Sequence, residues 1–202
     1  YVNEYEGVKL WELLKKAGIP ESMARGAESK TVVQFTATDG YKDFDKFTLE
    51  QIANPDLFGY YEKNPNDKND GKYISKREKD LRSTGYPVLV AYGVNGYPYV
   101  IKNTLDGYKS GLGNDGGPLR IISGKLEYHH ANGSKQAKFL DKIIVGNEVN
   151  YSTHSGNPDK TYKDLASEKI NVTVIGMDGS TLKNVTYTVA DIENMIYGSD
   201  VK

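Results

Sequence analysis

"KTVVQFTATDGYKDFDKFTLEQI", residues 30–52, decides the fold class. Val32, Val33 and Phe35 form a short run of β-branched and aromatic side chains, which favours a strand. Asp39-Gly40 follows as a turn signal, because Asp and Gly accept the positive φ that a tight hairpin demands. A second extended piece comes next, and then Thr48, with Gln51 three residues on, has the spacing of a capping box that opens a short helix. Strand, turn, extended piece and short helix in succession predict α+β architecture with mixed or antiparallel sheets and short helices. No βαβ alternation occurs along the chain, so a doubly wound sheet is not expected.

On the N-terminal side, "EGVKLWELLKKAGI" (6–19) places Val8, Leu10, Trp11, Leu14 and Ile19 at near-helical spacing. Gly18 stands where a helix would end, and Trp11, Leu13, Leu14 and Ala17 are expected toward the core. On the C-terminal side, residues 59–85 read as a polar insertion whose stretch 62–73 is expected to be surface loop, with exposed helical turns at 74–82. "YPVLVAYGVNGYPYV" (86–100) predicts a buried strand from Val88 to Tyr92 and a tight turn at Asn95-Gly96. A further strand is expected around Lys142 to Val145. The periodic apolar positions predict a core of Trp11, Leu14, Val33, Phe35, Leu89, Val90, Ile121, Ile122, Phe139 and Ile143.

Between these strands lies "GNDGGPLRIISGK" (113–125), glycine-rich until Pro118 and Arg120 and apolar thereafter. Glycines let backbone N–H groups approach an anion closely, and an arginine beside them offers a planar fork suited to phosphate. The alternative is a plain glycine-rich turn with an exposed arginine.

Composition excludes several classes. The 202 residues carry 26 Lys and Arg against 27 Asp and Glu, net charge −1, which gives no reason to expect nucleic acid as partner. No run of about 18 apolar residues exists, so membrane insertion by a helix is not expected. Cysteine is absent, removing disulfides, thiolate nucleophiles and cysteine-bound metals. His129, His130 and His154 have no standard zinc spacing, so no metal site is expected there. A calcium loop counted from Asp67 to Glu78 has its glycine at position five instead of six and lysines at 68 and 72, so a solvated loop is the better reading. No Gly-x-Ser-x-Gly elbow, phosphate-binding P-loop or dinucleotide fingerprint is present. Sixteen tyrosines and abundant Gly, Asn, Ser and Thr suggest an extracellular or bacterial cell-surface protein, and Tyr1 as first residue suggests a piece of a longer one.

Five segments, "YEGVKLWELLKKAGI", "TVVQFTATDGY", "VLVAYGVNGYP", "GGPLRIISG" and "AKFLDKIIVG", stand in the order found in the molybdopterin-binding domain of the sulfite-oxidase-like oxidoreductases. The resemblance covers roughly residues 4–147 and is interrupted by the insertion at 59–85. It implies that fold, a pterin or small anion as ligand, and loops that surround the pterin and its phosphate. Carried over residue by residue, the cofactor-binding candidates are Gly116, Gly117 and Arg120, with Asp39, Tyr41 and Asn95 as further positions that turn-making explains equally well. That family holds molybdenum through a cysteine thiolate, and this sequence has none, so catalysis by these residues is not expected.

Residues 1–147 therefore read as one molybdopterin-binding-like domain and 148–168 as a linker. Residues 169–202 read as a hairpin about Asp178-Gly179 and a helix starting near Thr188 or Ala190. This tail resembles the opening of a following tandem repeat, or else it completes the core of this copy or of a neighbour. Its apolar positions Val172, Val174, Ile175, Val185, Tyr187, Val189, Ile192 and Met195 need a surface to bury, which makes 170–195 a candidate contact with a neighbouring repeat or in a homodimer. Two functions stay open: a molybdopterin-binding oxidoreductase-type domain without turnover, and a cofactor-free surface binding or spacer module.

Overall fold

The computed structural model describes residues 5–37, 46–58, 60–63, 71–74, 86–94, 97–98, 100–103, 107–110, 119–124, 137–146, 169–176 and 178–197. The elements in chain order begin with β1 (Tyr5–Lys9), α1 (Leu10–Lys16), two 3₁₀ turns (Glu21–Ala24, Ala27–Lys30), β2 (Val32–Ala37), β3 (Phe47–Thr48), α2 (Leu49–Ala53) and a third 3₁₀ turn (Pro55–Leu57). Strands β4 (Tyr60–Lys63), β5 (Gly71–Ile74), β6 (Leu89–Val94), β7 (Tyr97–Pro98), β8 (Val100–Asn103) and β9 (Gly107–Ser110) follow. The chain continues with β10 (Arg120–Ile122), β11 (Leu140–Gly146), β12 (Lys169–Ile175), β13 (Thr181–Thr188) and α3 (Val189–Tyr197). The architecture is α+β, as the residue pattern predicts.

Two sheets carry the core. The first has the order β1-β6-β10, all antiparallel, with β7 also paired to β6. The second has the order β13-β12-β11-β2-β3, antiparallel except for the parallel pair β11–β12. Strand β11 sits at its centre, and Ile143 pairs with Phe35 on one side and Val172 on the other. Ile143, Ile144 and Val145 are fully buried, as expected for a strand covered on both faces.

The N-terminal helix is shorter than its apolar spacing predicts. Val8 lies in β1, and the helix starts at Leu10, whose N–H donates to the Val88 carbonyl at 2.7 Å. Leu10, Leu13 and Leu14 are buried, and Gly18 ends the turn at φ 95°, in the left-handed region that favours glycine. The capping box of α2 is complete: Gln51 N–H donates to Thr48 Oγ1 at 3.3 Å, and Thr48 N–H donates to Gln51 Oε1 at 2.9 Å. Phe47 anchors this region through an edge-on contact with Phe35 and a tilted one with Phe58, both at 5.9 Å between ring centres.

Three expected core residues are only partly buried. Trp11 and Phe139 pack against the core from its margin. Leu89 alternates with buried Val88 and Val90, so the period-two geometry of β6 sends it to the other face. The polar insertion also differs from a plain loop. Residues 60–63 and 71–74 pair as β4 and β5, with Tyr60 opposite Ile74 and Tyr61 opposite Tyr73. The turns expected at 39–40 and 95–96 lie outside the described residues, as do most of the helical turns expected at 74–82.

The tail joins the second sheet of this same chain. Strands β12 and β13 form the hairpin, reversing at Asp178, Gly179 (φ 83°) and Ser180, where Asp178 Oδ1 accepts from Ser180 N–H at 2.9 Å. Ile170, Val172, Val189 and Ile192 are buried in the common core, and α3 packs on β1 of the first sheet. The tail thus touches both sheets.

Candidate functional site

At one end of the fold the C-terminal ends of β2 and β6 come near the N-terminal end of β10. Strand β10 runs antiparallel to β6, so Arg120 at its start lies opposite Ala91 and toward the end of β6 that leads to Asn95. The carbonyl of Leu119 accepts from Leu140 N–H at 3.0 Å, and Leu140 in turn lies opposite Ala37, the last residue of β2. The Ile121 N–H completes the link by donating to the Ala137 carbonyl at 2.9 Å. Residues 137–140 therefore clasp β10 and tie the first sheet to the second. Phe139, between the two clasping bonds, takes φ 52°, a left-handed conformation rare for an aromatic residue.

These links bring together the ends of β2, β6 and β10 that are nearest in sequence to Asp39, Tyr41, Asn95, Gly116 and Gly117. Of the six nominated residues, Arg120 is described; Asp39, Tyr41, Asn95, Gly116 and Gly117 lie outside the described residues. Arg120 is partly buried at the head of β10, its Nε is enclosed, and its side chain is engaged with the protein. A guanidinium placed this way is a fixed, permanently charged fork.

Two features of this region escaped the sequence reading. Thr36 Oγ1 donates to Asp141 Oδ1 across the β2–β11 pair, which adds a carboxylate one residue from Leu140. Ser123, just after β10, has a buried hydroxyl with no hydrogen-bond partner among the described residues. The only signal for either was a polar residue set inside an apolar run.

Molybdopterin, the group implied by the resemblance, fits these residues in one part and not in the other. Arg120 suits its phosphate. No thiolate is available from these 202 residues, and no cluster of three His, Asp or Glu that could hold a metal occurs among the described ones. No helix among the described residues is long and apolar enough to cross a membrane. No family model, curated protein or solved structure matches this chain.

Proposed function

We propose that this chain is a sulfite-oxidase-like molybdopterin-binding domain of a bacterial surface protein, one that takes a phosphate-bearing ligand at its loop end without redox turnover. The single observation that carries the reading is the convergence of the C-terminal ends of β2 and β6 with the N-terminal end of β10, where Arg120 is fixed. The order of the five sequence segments supports the family, and the α+β architecture agrees with it. The missing thiolate supports the absence of turnover.

A cofactor-free surface module is the second reading, favoured by Asp141, whose carboxylate near the loop end opposes an anion. Titrating inorganic phosphate and molybdopterin separately against wild type, Arg120→Ala and Arg120→Lys distinguishes the two. The proposed function requires saturable binding to wild type, weakened about tenfold or more in Arg120→Ala and partly restored in Arg120→Lys, because a charge-assisted contact is lost and then regained as a point charge. Absent binding, or equal binding to all three proteins with unchanged circular dichroism, leaves the cofactor-free module.

A further inference from the structure

Strand β13 ends the second sheet on one side and pairs only with β12 among the described residues. An edge strand leaves a row of N–H and C=O groups without ladder partners, and natural proteins guard such edges by shortness, proline, charge or cover. The opposite edge, β3, is only two residues long. β13 runs for eight residues and contains no proline. Thr181, Leu182, Lys183, Asn184 and Thr186 are exposed along it. Leu182 is one of two exposed large apolar side chains among the described residues, the other being Leu57. The register shift in the β12–β13 ladder lies at Ile175 and Thr181, so Lys183 to Thr188 is regular strand. Lys183 is the one charge on this edge, and its ammonium lies against Gly18 at the end of α1.

The ladder beside this edge shows what the edge accepts. Asn171-Val172-Thr173 of β12 lies antiparallel to Asn184-Val185-Thr186 of β13, with Asn171 opposite Thr186, Val172 opposite Val185 and Thr173 opposite Asn184. The same three residue types in the same order thus pair with one another about a central valine. Both outer pairs are hydrogen-bonded: Thr186 Oγ1 donates to Asn171 Oδ1 at 2.8 Å, and Thr173 Oγ1 donates to Asn184 Oδ1 at 3.2 Å. These bonds leave the Asn184 NH₂ group as a donor and the Thr186 oxygen with acceptor capacity, both on the exposed outer strand.

We propose that β13 is a dimerisation edge whose occupant is β13 of a second copy of this chain, antiparallel about a twofold axis through Val185. That axis repeats the pairing already present between β12 and β13: Val185 faces Val185, and Asn184 faces Thr186 in both halves. The Asn184 NH₂ of each copy then donates to Thr186 Oγ1 of the other, using the two groups that the β12–β13 bonds leave over. Charge agrees with this register. Lys183 comes opposite Tyr187 of the second copy, and Tyr187 lines a shallow groove with Asp191 and Lys16, so each Lys183 gains a carboxylate beside it. A twofold axis through Lys183 would instead set two lysines face to face, which is destabilising. The surface is separate from the end of the fold where Arg120 sits and rests on no ligand there.

Sedimentation velocity on the full chain tests this. One strand pair is a small interface, so a reversible dimer is expected, with a dissociation constant between about 1 μM and 1 mM. Asn184→Lys combined with Thr186→Lys sets like charges opposite each other in both halves, and this double variant should stay monomeric over that range. Asn184→Lys combined with Thr186→Glu sets opposite charges there and should dimerise about tenfold or more tightly than the lysine pair, the gap shrinking at high salt. Both positions are exposed, so the fold should survive, which circular dichroism checks. The absence of cysteine gives a second readout that needs no charge change. Opposed Cβ atoms stand about 4.5–5.5 Å apart, so a mixture of Asn184→Cys and Thr186→Cys chains should cross-link on oxidation much faster than either alone. The proposal is overturned if wild type is monomeric at about 1 mM, if the folded lysine pair dimerises as wild type does, or if the mixed cysteine chains cross-link no faster than the separate ones.

Discussion

Thr188 and Asp191 cap α3 reciprocally. Asp191 Oδ2 accepts from the Thr188 N–H and from its hydroxyl, each at 2.8 Å, while Asp191 N–H donates to Thr188 Oγ1 at 3.1 Å. The bond from the Thr188 backbone, then that from its hydroxyl, holds the Asp191 carboxyl below the usual carboxylate range. A carboxyl with a lowered folded-state pKa stabilises the fold above its unfolded value, about 3.9, and loses that contribution as pH falls through the folded value. Thr188→Ala should cost about 1 kcal/mol at pH 7, as the loss of an N-cap does. Asp191→Ala should melt below wild type at pH 7, with the gap narrowing below about pH 4; a gap that stays constant to pH 3 contradicts the cap.

Truncation after Asn150 should destroy cooperative unfolding or drive the protein into aggregates. It removes buried Ile170 and Val172 from beside β11, and Val189 and Ile192 from the shared core. It would also turn β11 into an edge that exposes Ile143, Ile144 and Val145, a template for pairing with other chains. Size-exclusion chromatography and a thermal melt of the shortened chain check this, and an equally stable monomer would contradict it.

Much of this fold was legible where the determinant is local. The Thr48–Gln51 box and the reversal at Asp178-Gly179 depend on residues within a few positions, and each stands where its residues predict. The Thr188 cap is equally local. Pairing across long separations was not legible. Nothing in "KINVTVI" says that it lies parallel to "DKIIV", because that choice is made by burial of both strands in one core. Phe139 shows the same limit: an aromatic residue argues against a left-handed backbone, and the two bonds clasping β10 override it. At the loop end, Arg120 was legible because an apolar run follows it, whereas the nearness of Thr36 and Asp141 arises at the β2–β11 register shift, which pairs Thr36 with Lys142 and leaves Asp141 without a register partner.

Gly7 tests the closeness of the first sheet. It stands at the register shift between β1 and β6, and an added Cβ would lie 2.4 Å from the Val90 carbonyl oxygen and 2.7 Å from Ala91 Cα. Both are backbone atoms that cannot swing aside. Gly7→Ala should therefore cost about 1–3 kcal/mol or more, as overpacking does, and lower the urea midpoint without changing its slope. Gly179→Ala is the comparison, since it has φ 83° but nothing within 4 Å of the added carbon. It should show only the left-handed strain, roughly 1–2 kcal/mol. If Gly179→Ala proves the more damaging, the β1–β6 approach is looser than this spacing.

The β4–β5 hairpin leads to the last prediction. Its four pairs run from Tyr60 opposite Ile74 to Lys63 opposite Gly71, and among the described residues it forms a two-stranded sheet hydrogen-bonded to neither larger sheet. Residues 64–70 join the two strands with a polar sequence, "NPNDKND", that has no large apolar side chain to contribute to a core. Replacing 64–70 by Asn-Gly should preserve the pairing, because a two-residue type I′ turn matches the twist of antiparallel strands. Shortening a loop alters its closure entropy only slowly with length, by about 0.6 kcal/mol per doubling. The melting temperature should accordingly stay within a few degrees of wild type or rise slightly. Breaking the pairing with Tyr61→Pro should also leave the core transition nearly unchanged, since the hairpin stands outside both sheets. A large fall in either variant would mean that the larger sheets lean on this insertion, contrary to its separate hydrogen bonding.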